Sequence, residues 1–223
     1  MALILCLETA TKSCSVALAK DGDLLHCKNE ISEKYSHSEQ LTLFIESILS
    51  EQGIALVDLD AIAVSKGPGS FTGLRIGVSS AKGLCYALDK PLISVSTLEA
   101  MASGMQKKYP KKVYCPMIDA RRMEVYTAFF QAGKQLTDIE AHVLETDSFS
   151  KILSKEEVLF FGDGADKCQG FITHVNATFI PNIYPSAKDM AAIAEKAFVK
   201  QQFENVAYFE PYYLKDFVTG VKK

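Results

Sequence analysis

Residues 66–77 read KGPGSFTGLRIG. Four glycines and a proline stand at the front of a segment that soon turns apolar and helix-like. Such a loop either cradles phosphate or lets a helix start tightly and pack closely on something else. The standard phosphate patterns fail on spacing. A Walker loop needs GxxxxGK[ST], but Gly67 and Gly73 stand one residue too far apart and Leu74-Arg75 follows. A Rossmann fingerprint needs GxGxxG, and Gly67-x-Gly69-x-x-x-Gly73 is again one off. A helix N-terminus still favours an anion through its free N–H groups and its dipole. Gly69, Ser70 and Arg75 are the candidates for that contact. An ordinary surface arginine beside a capped helix competes with it, and the residues alone do not separate the two.

The helix itself is read over residues 72–88. Gly73, Gly77 and Ala81 recur at four-residue spacing with Ser80 beside them, and Leu74, Val78, Ala81, Cys85 and Leu88 form a second apolar line. Arg75 and Lys82 are the only charges between 72 and 88, so the helix is expected to be covered on more than one side. Each glycine inside a helix costs about 1 kcal/mol relative to alanine, which close helix packing would offset. The stripe packs either on a second protein or inside the chain, and the scarcity of charge points to a second protein.

Outward from this segment the pattern is regular. ALILCLE (2–8) is a continuous apolar run suited to a buried strand. CSVALA (14–19) and LLHCKN (24–29) flank Asp21-Gly22, a hairpin signal. Leu41, Phe44, Ile45, Ile48 and Leu49 share one helical face; Ser36 and Glu39 fit a capping box, and Gly53 fits a helix stop. LDAIAVS (59–65) and LISVS (92–96) read as strands, with Pro91 ending the helix between them. The order βββαβαβ predicts a ribonuclease H-like lobe with a mixed five-stranded sheet over residues 1–103. GMQKKYPKK (104–112) reads as a linker. The remainder, 104–223, reads as a worn repeat: strands at 113–119, 124–131, 135–144 and 158–162, a short helix near 147–154, and a helix near 187–200. Glu8 ends the first strand of one half and Asp119 that of the other, which puts a cleft between the lobes. The end of the chain, PYYLKDFVTGVKK (211–223), has no clear period and resists placement, although a return to the first lobe is one route.

Composition narrows the class. Hydrophobic residues make up 48% and charged residues 23% of the 223, so a packed core is expected. Net charge is −3, whereas a chain that grips nucleic acid alone usually shows a basic face. The one dense basic cluster, Lys107, Lys108, Lys111 and Lys112, fits a solvated linker. Six cysteines lack CxxC spacing, which excludes zinc-ribbon and thioredoxin readings. The absence of a basic leader pattern or a long apolar stretch makes the cytoplasm the expected location and a membrane an unexpected partner.

ILCLETATKSCSVAL, HSEQL, GPGSFTGLRIG with AKGL, PLISVSTLEAMA, DARRMEVY and GDG, in order from residue 4 to about 164, resemble the bacterial TsaB (YeaZ) family. The resemblance implies an α/β, actin/Hsp70-like (ASKHA) fold of two ribonuclease H-like lobes. It implies a role in making threonylcarbamoyladenosine at position 37 of ANN-decoding tRNAs. It implies a non-catalytic subunit that pairs with a catalytic paralogue, TsaD, alongside a small ATPase, TsaE, and meets tRNA through that complex. In the family the pairing uses the helices at 36–52 and 72–88. The interface residues expected here are therefore His37, Leu41, Phe44, Ile45, Ile48, Ser70, Phe71, Thr72, Gly73, Leu74, Arg75, Gly77, Val78, Ser80, Ala81 and Leu84. The same helices are expected to form a homodimer when the partner is absent. ATP or ADP is expected at the joint of the complex, near Gly69, Ser70 and Arg75, and no cofactor is expected to bind this chain tightly by itself.

The residues speak against chemistry by the lone chain. Where the catalytic paralogue carries NHxxxH, Thr97 and Met101 stand here, and neither suits a catalytic transition metal. No two of His26, His37, His142 and His174 share HxxxH spacing. HExxH and GxSxG are absent, so the older glycoprotease label has no support. The turns after Glu8 and Asp119 lack the glycines that would let backbone wrap a phosphate. A stand-alone ASKHA-type ATPase or phosphotransferase is the alternative.

Overall fold

The computed structural model describes residues 2–32 and 37–215. Two sheets share one topology. In the first, β1 (Leu3–Glu8) runs antiparallel to β2 (Ser13–Lys20), which runs antiparallel to β3 (Asp23–Ile31). After α1 (His37–Gln52), β4 (Ala61–Gly67) joins β1 in parallel. After α2 (Phe71–Leu88), β5 (Leu92–Ser96) joins β4 in parallel, giving the order β3-β2-β1-β4-β5. Helix α3 (Thr97–Lys108) leads to the second sheet: β6 (Val113–Asp119), β7 (Glu124–Thr127), a side ribbon of β8 (Phe130–Gln131) and β9 (Lys134–Gln135), then β10 (Glu140–Val143). A single turn α4 (Ser150–Leu153) precedes β11 (Val158–Phe161) and β12 (Ala177–Ile180). The order β10-β7-β6-β11-β12, with β6, β11 and β12 parallel, repeats that of the first sheet. Two ribonuclease H-like sheets in tandem are the actin/Hsp70-like arrangement.

The period of two in β1 decides the layers. Leu5 and Leu7 face a core shared with Leu41, Ile45 and Ile48 of α1 and Val78, Ala81 and Cys85 of α2. Ile4 and Cys6 face the opposite core, closed by Ala100 of α3 and by Ala187, Met190 and Ala194. The last three belong to a 3₁₀ turn (Ala187–Met190) and α5 (Ala191–Val199), so the far end of the chain covers the first sheet. The other side of α3 packs on the second sheet through Leu98, Met101, Ala102 and Met105.

Local signals explain most boundaries. Asp21 and Gly22 both take positive φ in the β2–β3 turn, as a tight hairpin requires. Gly53, at φ +63, ends α1, and Ile54 N–H donates back to Leu49 O. The Ser36 cap lies outside the described residues. Three expectations change. The stretch read as a linker at 104–112 begins inside α3, which runs to Lys108 because Met101 and Met105 bury against Tyr114 and Phe161. The strand at 135–144 breaks into β9 and β10, and the helix near 147–154 shrinks to Ser150–Leu153.

Candidate functional site

The glycine loop is filled by the chain itself. Ser70 N–H donates to Ala10 O at 2.6 Å, and a Cβ at Gly69 would overlap that same carbonyl. A Cβ at Gly73 would overlap Thr9 O, and one at Gly77 would overlap Thr9 Oγ1. Thr9 Oγ1–H donates to Gly73 O at 2.7 Å. Glycine is thus required so that the start of α2 can sit on the turn that follows β1. In the first turn Gly73 N–H bonds Ser70 Oγ and Leu74 N–H bonds Ser70 O. Arg75 lies 4.0 Å over the Phe71 ring, and its Nε–H donates to Tyr213 Oη. Of the donors expected to meet an anion, Ser70 N–H and Arg75 Nε–H are thus engaged inside the chain.

Residues 204–215 form a strap along α2. Glu204 N–H bonds Leu92 O, and its carboxylate accepts from Ser94 Oγ. Lys82 Nζ donates to the carbonyls of Ala207 and Phe209. Tyr212 N–H donates to Lys66 O, and a Cβ on Gly67 would lie 2.9 Å from Tyr212 O. Tyr213 packs on Phe71, and Lys215 pairs with Glu124 on the second sheet.

The expected interface residues split by face. His37, Leu41, Ile45, Ile48, Gly73, Leu74, Gly77, Val78 and Ala81 are buried in the chain's own core, which corrects their assignment to an outer surface. Phe44, Ser70, Phe71, Ser80 and Leu84 are half-buried, and Thr72 and Arg75 are exposed. The face that α1 and α2 turn outward also carries Leu43, 61% exposed, Tyr86, 86% exposed, half-buried Ile76, and exposed Ser79, Gly83 and Ala87. The sequence holds two small-residue lines on α2, and the inner one drew the assignment. The signal for the outer one was Gly83 beside Tyr86. A Cβ at Gly83 meets nothing within 4 Å. Gly83→Ala is therefore expected to stabilise the chain by about 0.5–1 kcal/mol, visible as a higher midpoint in urea unfolding; a lower midpoint would show hidden contact at that face.

Between the sheets lie carboxylates. Glu8 is fully buried; its Oε1 accepts from Ala10 N–H at 2.6 Å and Ser65 Oγ at 2.9 Å, while Oε2 has no partner among the described residues. Burial pushes its pKa up to about 7, with a smaller push from Asp189. Asp163 is also pushed up by burial and accepts from Asp119 N–H. Asp119 is held by Lys167. Thr97 and Met101 are buried in α3. Among the described residues no group of three or more His, Cys, Asp or Glu side chains is placed to hold a metal. His37 Nε2–H donates to Thr11 O at 2.8 Å, and burial lowers its pKa. His142 bridges Glu140 and Ser148 at 3.1 and 3.0 Å. That line resembles a hydrolytic triad, but Ser148 is buried and its Oγ accepts Glu145 N–H, which makes it a turn lock. No described helix is long and apolar enough to cross a membrane.

Comparison with known proteins supplies the context. Residues 30–222 match the family model described as TsaD, tRNA N6-adenosine threonylcarbamoyltransferase. The tRNA threonylcarbamoyladenosine biosynthesis protein TsaB of Haemophilus influenzae is 31% identical over 98% of this chain and 96% of its own length. TsaB of Escherichia coli K12 is 31% identical over 98% and 97%. The solved structure of YeaZ from Pseudomonas aeruginosa is 28% identical, covers 96% of this chain and 100% of its own, and superposes with a TM-score of 0.82.

Proposed function

Because this chain belongs to the TsaB family of tRNA threonylcarbamoyladenosine biosynthesis proteins, we propose that it is a non-catalytic subunit that docks on a TsaD-type catalytic relative and activates it. The observation that carries the reading is the outward face of α1 and α2. On α2 that face is uncharged through Ile76, Ser79, Gly83 and Ala87, with Tyr86 86% exposed, and on α1 Leu43 is 61% exposed among Glu39 and Glu46. Large exposed apolar side chains beside small residues suit the approach of another helix. Thr97 and Met101, sealed inside α3, support the non-catalytic part of the reading. Nucleotide and the TsaE-type ATPase join at the assembled complex, and tRNA is modified there. Two copies of this chain pair through the same face about a twofold axis when the catalytic relative is absent.

The test is reconstitution. The purified chain is expected to show no threonylcarbamoyl transfer alone and to be required when the catalytic relative, the ATPase, tRNA and the carbamoyl-adenylate source are supplied. Gly83→Arg is expected to weaken pairing by on the order of tenfold or more, since about 1.4 kcal/mol suffices for that, while thermal melting stays near the parent's. Transfer by the lone chain, or full pairing by the folded variant, would overturn the reading. Turnover of ATP by the lone chain in calorimetry would favour a phosphotransferase instead.

A further inference from the structure

The strands β1 and β4 of one sheet and β6, β11 and β12 of the other run parallel within their sheets. Ligands of open α/β sheets sit outside the carboxyl ends of such strands. Side-chain contacts bring the loops at those ends together. Lys12, after β1, lies 5.4 Å over the Tyr184 ring beyond β12. Asp163, after β11, is within electrostatic reach of Lys12 and Asp119. Tyr126 feels both Arg121 of the β6–β7 turn and Lys215 of the strap.

The floor and the rim of this mouth differ in sign. On the floor, Thr9 and Ala10 occupy the glycine loop, and the half-buried Asp163 carboxylate, which accepts Asp119 N–H, opposes any phosphate that descends. On the rim, Arg121 and Arg122 are exposed, and neither guanidinium has a hydrogen bond or ion pair among the described residues. Lys215 lies nearby but is paired with Glu124, and Tyr212, whose N–H bonds Lys66 O at the end of β4, is 42% exposed and adds an aromatic surface. Arg121 and Arg122 thus present adjacent unpaired charges in a chain of net charge −3. A nucleotide needs its phosphates deep in a cradle, and here the cradle is shut and acidic. A phosphodiester chain lying across the mouth needs only the rim, and aromatic platforms suit unpaired bases.

We propose that the rim of the mouth between the two sheets is a contact surface for single-stranded RNA, with phosphodiesters held by Arg121 and Arg122 and a base laid on Tyr212. It rests on the reading above that the chain works on tRNA, and it adds that this chain touches the RNA itself.

The probe is an RNA hairpin with an unpaired anticodon-type loop, titrated into the full chain and followed by fluorescence anisotropy. Binding is expected to weaken steeply with salt. Arg121 and Arg122 have φ of 64° and 47°, a region that suits Asn and Gly. The double variant Arg121→Asn/Arg122→Gly therefore removes both charges while easing the backbone. It is expected to melt no lower than the parent, to bind on the order of tenfold more weakly, and to lose about 2 from the salt slope. Tyr212→Leu is expected to lower affinity for the looped hairpin and leave affinity for a blunt duplex unchanged. ATP is expected not to displace the hairpin. Absence of binding by the parent chain, parental affinity in the folded double variant, or displacement by ATP would each overturn the proposal. Pairing with the catalytic relative, measured separately on the double variant, is expected to be intact. A chain that pairs but ignores RNA overturns this inference alone; one that binds RNA but does not pair overturns the earlier reading alone.

Discussion

Gly77→Leu is expected to unfold the chain rather than to spare the fold and weaken pairing. The Cβ alone would collide with Thr9 Oγ1 and come within 3.5 Å of Val64. Moving Thr9 breaks its bond to Gly73 O and strands two buried groups, at about 1–3 kcal/mol each. Overpacking adds about 1–3 kcal/mol. Together these consume much of the roughly 5–15 kcal/mol that a domain has in hand. Thermal melting should show a collapse or no cooperative transition; a midpoint within a few degrees of the parent would refute the packing described. A gentler form tests the contact itself. Gly77→Ala should be strongly destabilising alone, yet much less so with Thr9→Ala, because the clashing hydroxyl is then gone. Additive effects in that double-mutant cycle would refute the clash.

The second large effect is a pH dependence of stability set by Glu8. Its folded pKa of about 7 stands above the ordinary value of 4.5. A raised folded value means that stability from this group is fully present below about pH 4.5 and is lost as pH rises through about 7. Between about pH 5 and 9 the loss is about 2–3 kcal/mol, at about 1.4 kcal/mol per pKa unit. Asp189, pushed up to about 6 by burial, slopes the same way. Glu8→Gln keeps an acceptor for Ala10 N–H and Ser65 Oγ but has no charge to bury. Denaturant unfolding across that range should therefore be flatter in Glu8→Gln than in the parent by about that amount. Parallel curves would show that the fold does not raise the Glu8 pKa.

Much of the architecture was legible in the sequence. The apolar run of β1, the Asp21-Gly22 turn and the spacing of Leu41, Ile45 and Ile48 are local patterns, and local patterns fix elements. What stayed hidden depends on contacts far apart in sequence. Periodicity shows that α2 has a small-residue line but not which neighbour it meets; Thr9, sixty-four residues before Gly73, decides that. The strap has no period because its bonds run from single backbone groups to Leu92, Lys66 and the Lys82 ammonium. The rim is invisible in composition because Arg121, Arg122 and Tyr212 come from separate regions of the chain. The inward glycines were mistaken for an outer surface because scarcity of charge marks any buried face, whichever body buries it.

The covering of the first sheet by Ala187, Met190 and Ala194 has a consequence for how the protein is made. During synthesis the five strands of that sheet emerge early, and their helices α1 and α2 can close one side at once. The opposite side, with Ile4, Cys6 and Ile93, waits for residues translated long after the strands they cover. Until the ribosome delivers them, an apolar surface stands bare, and a transcript truncated before α5 yields a nascent sheet that chaperones or proteases will meet first.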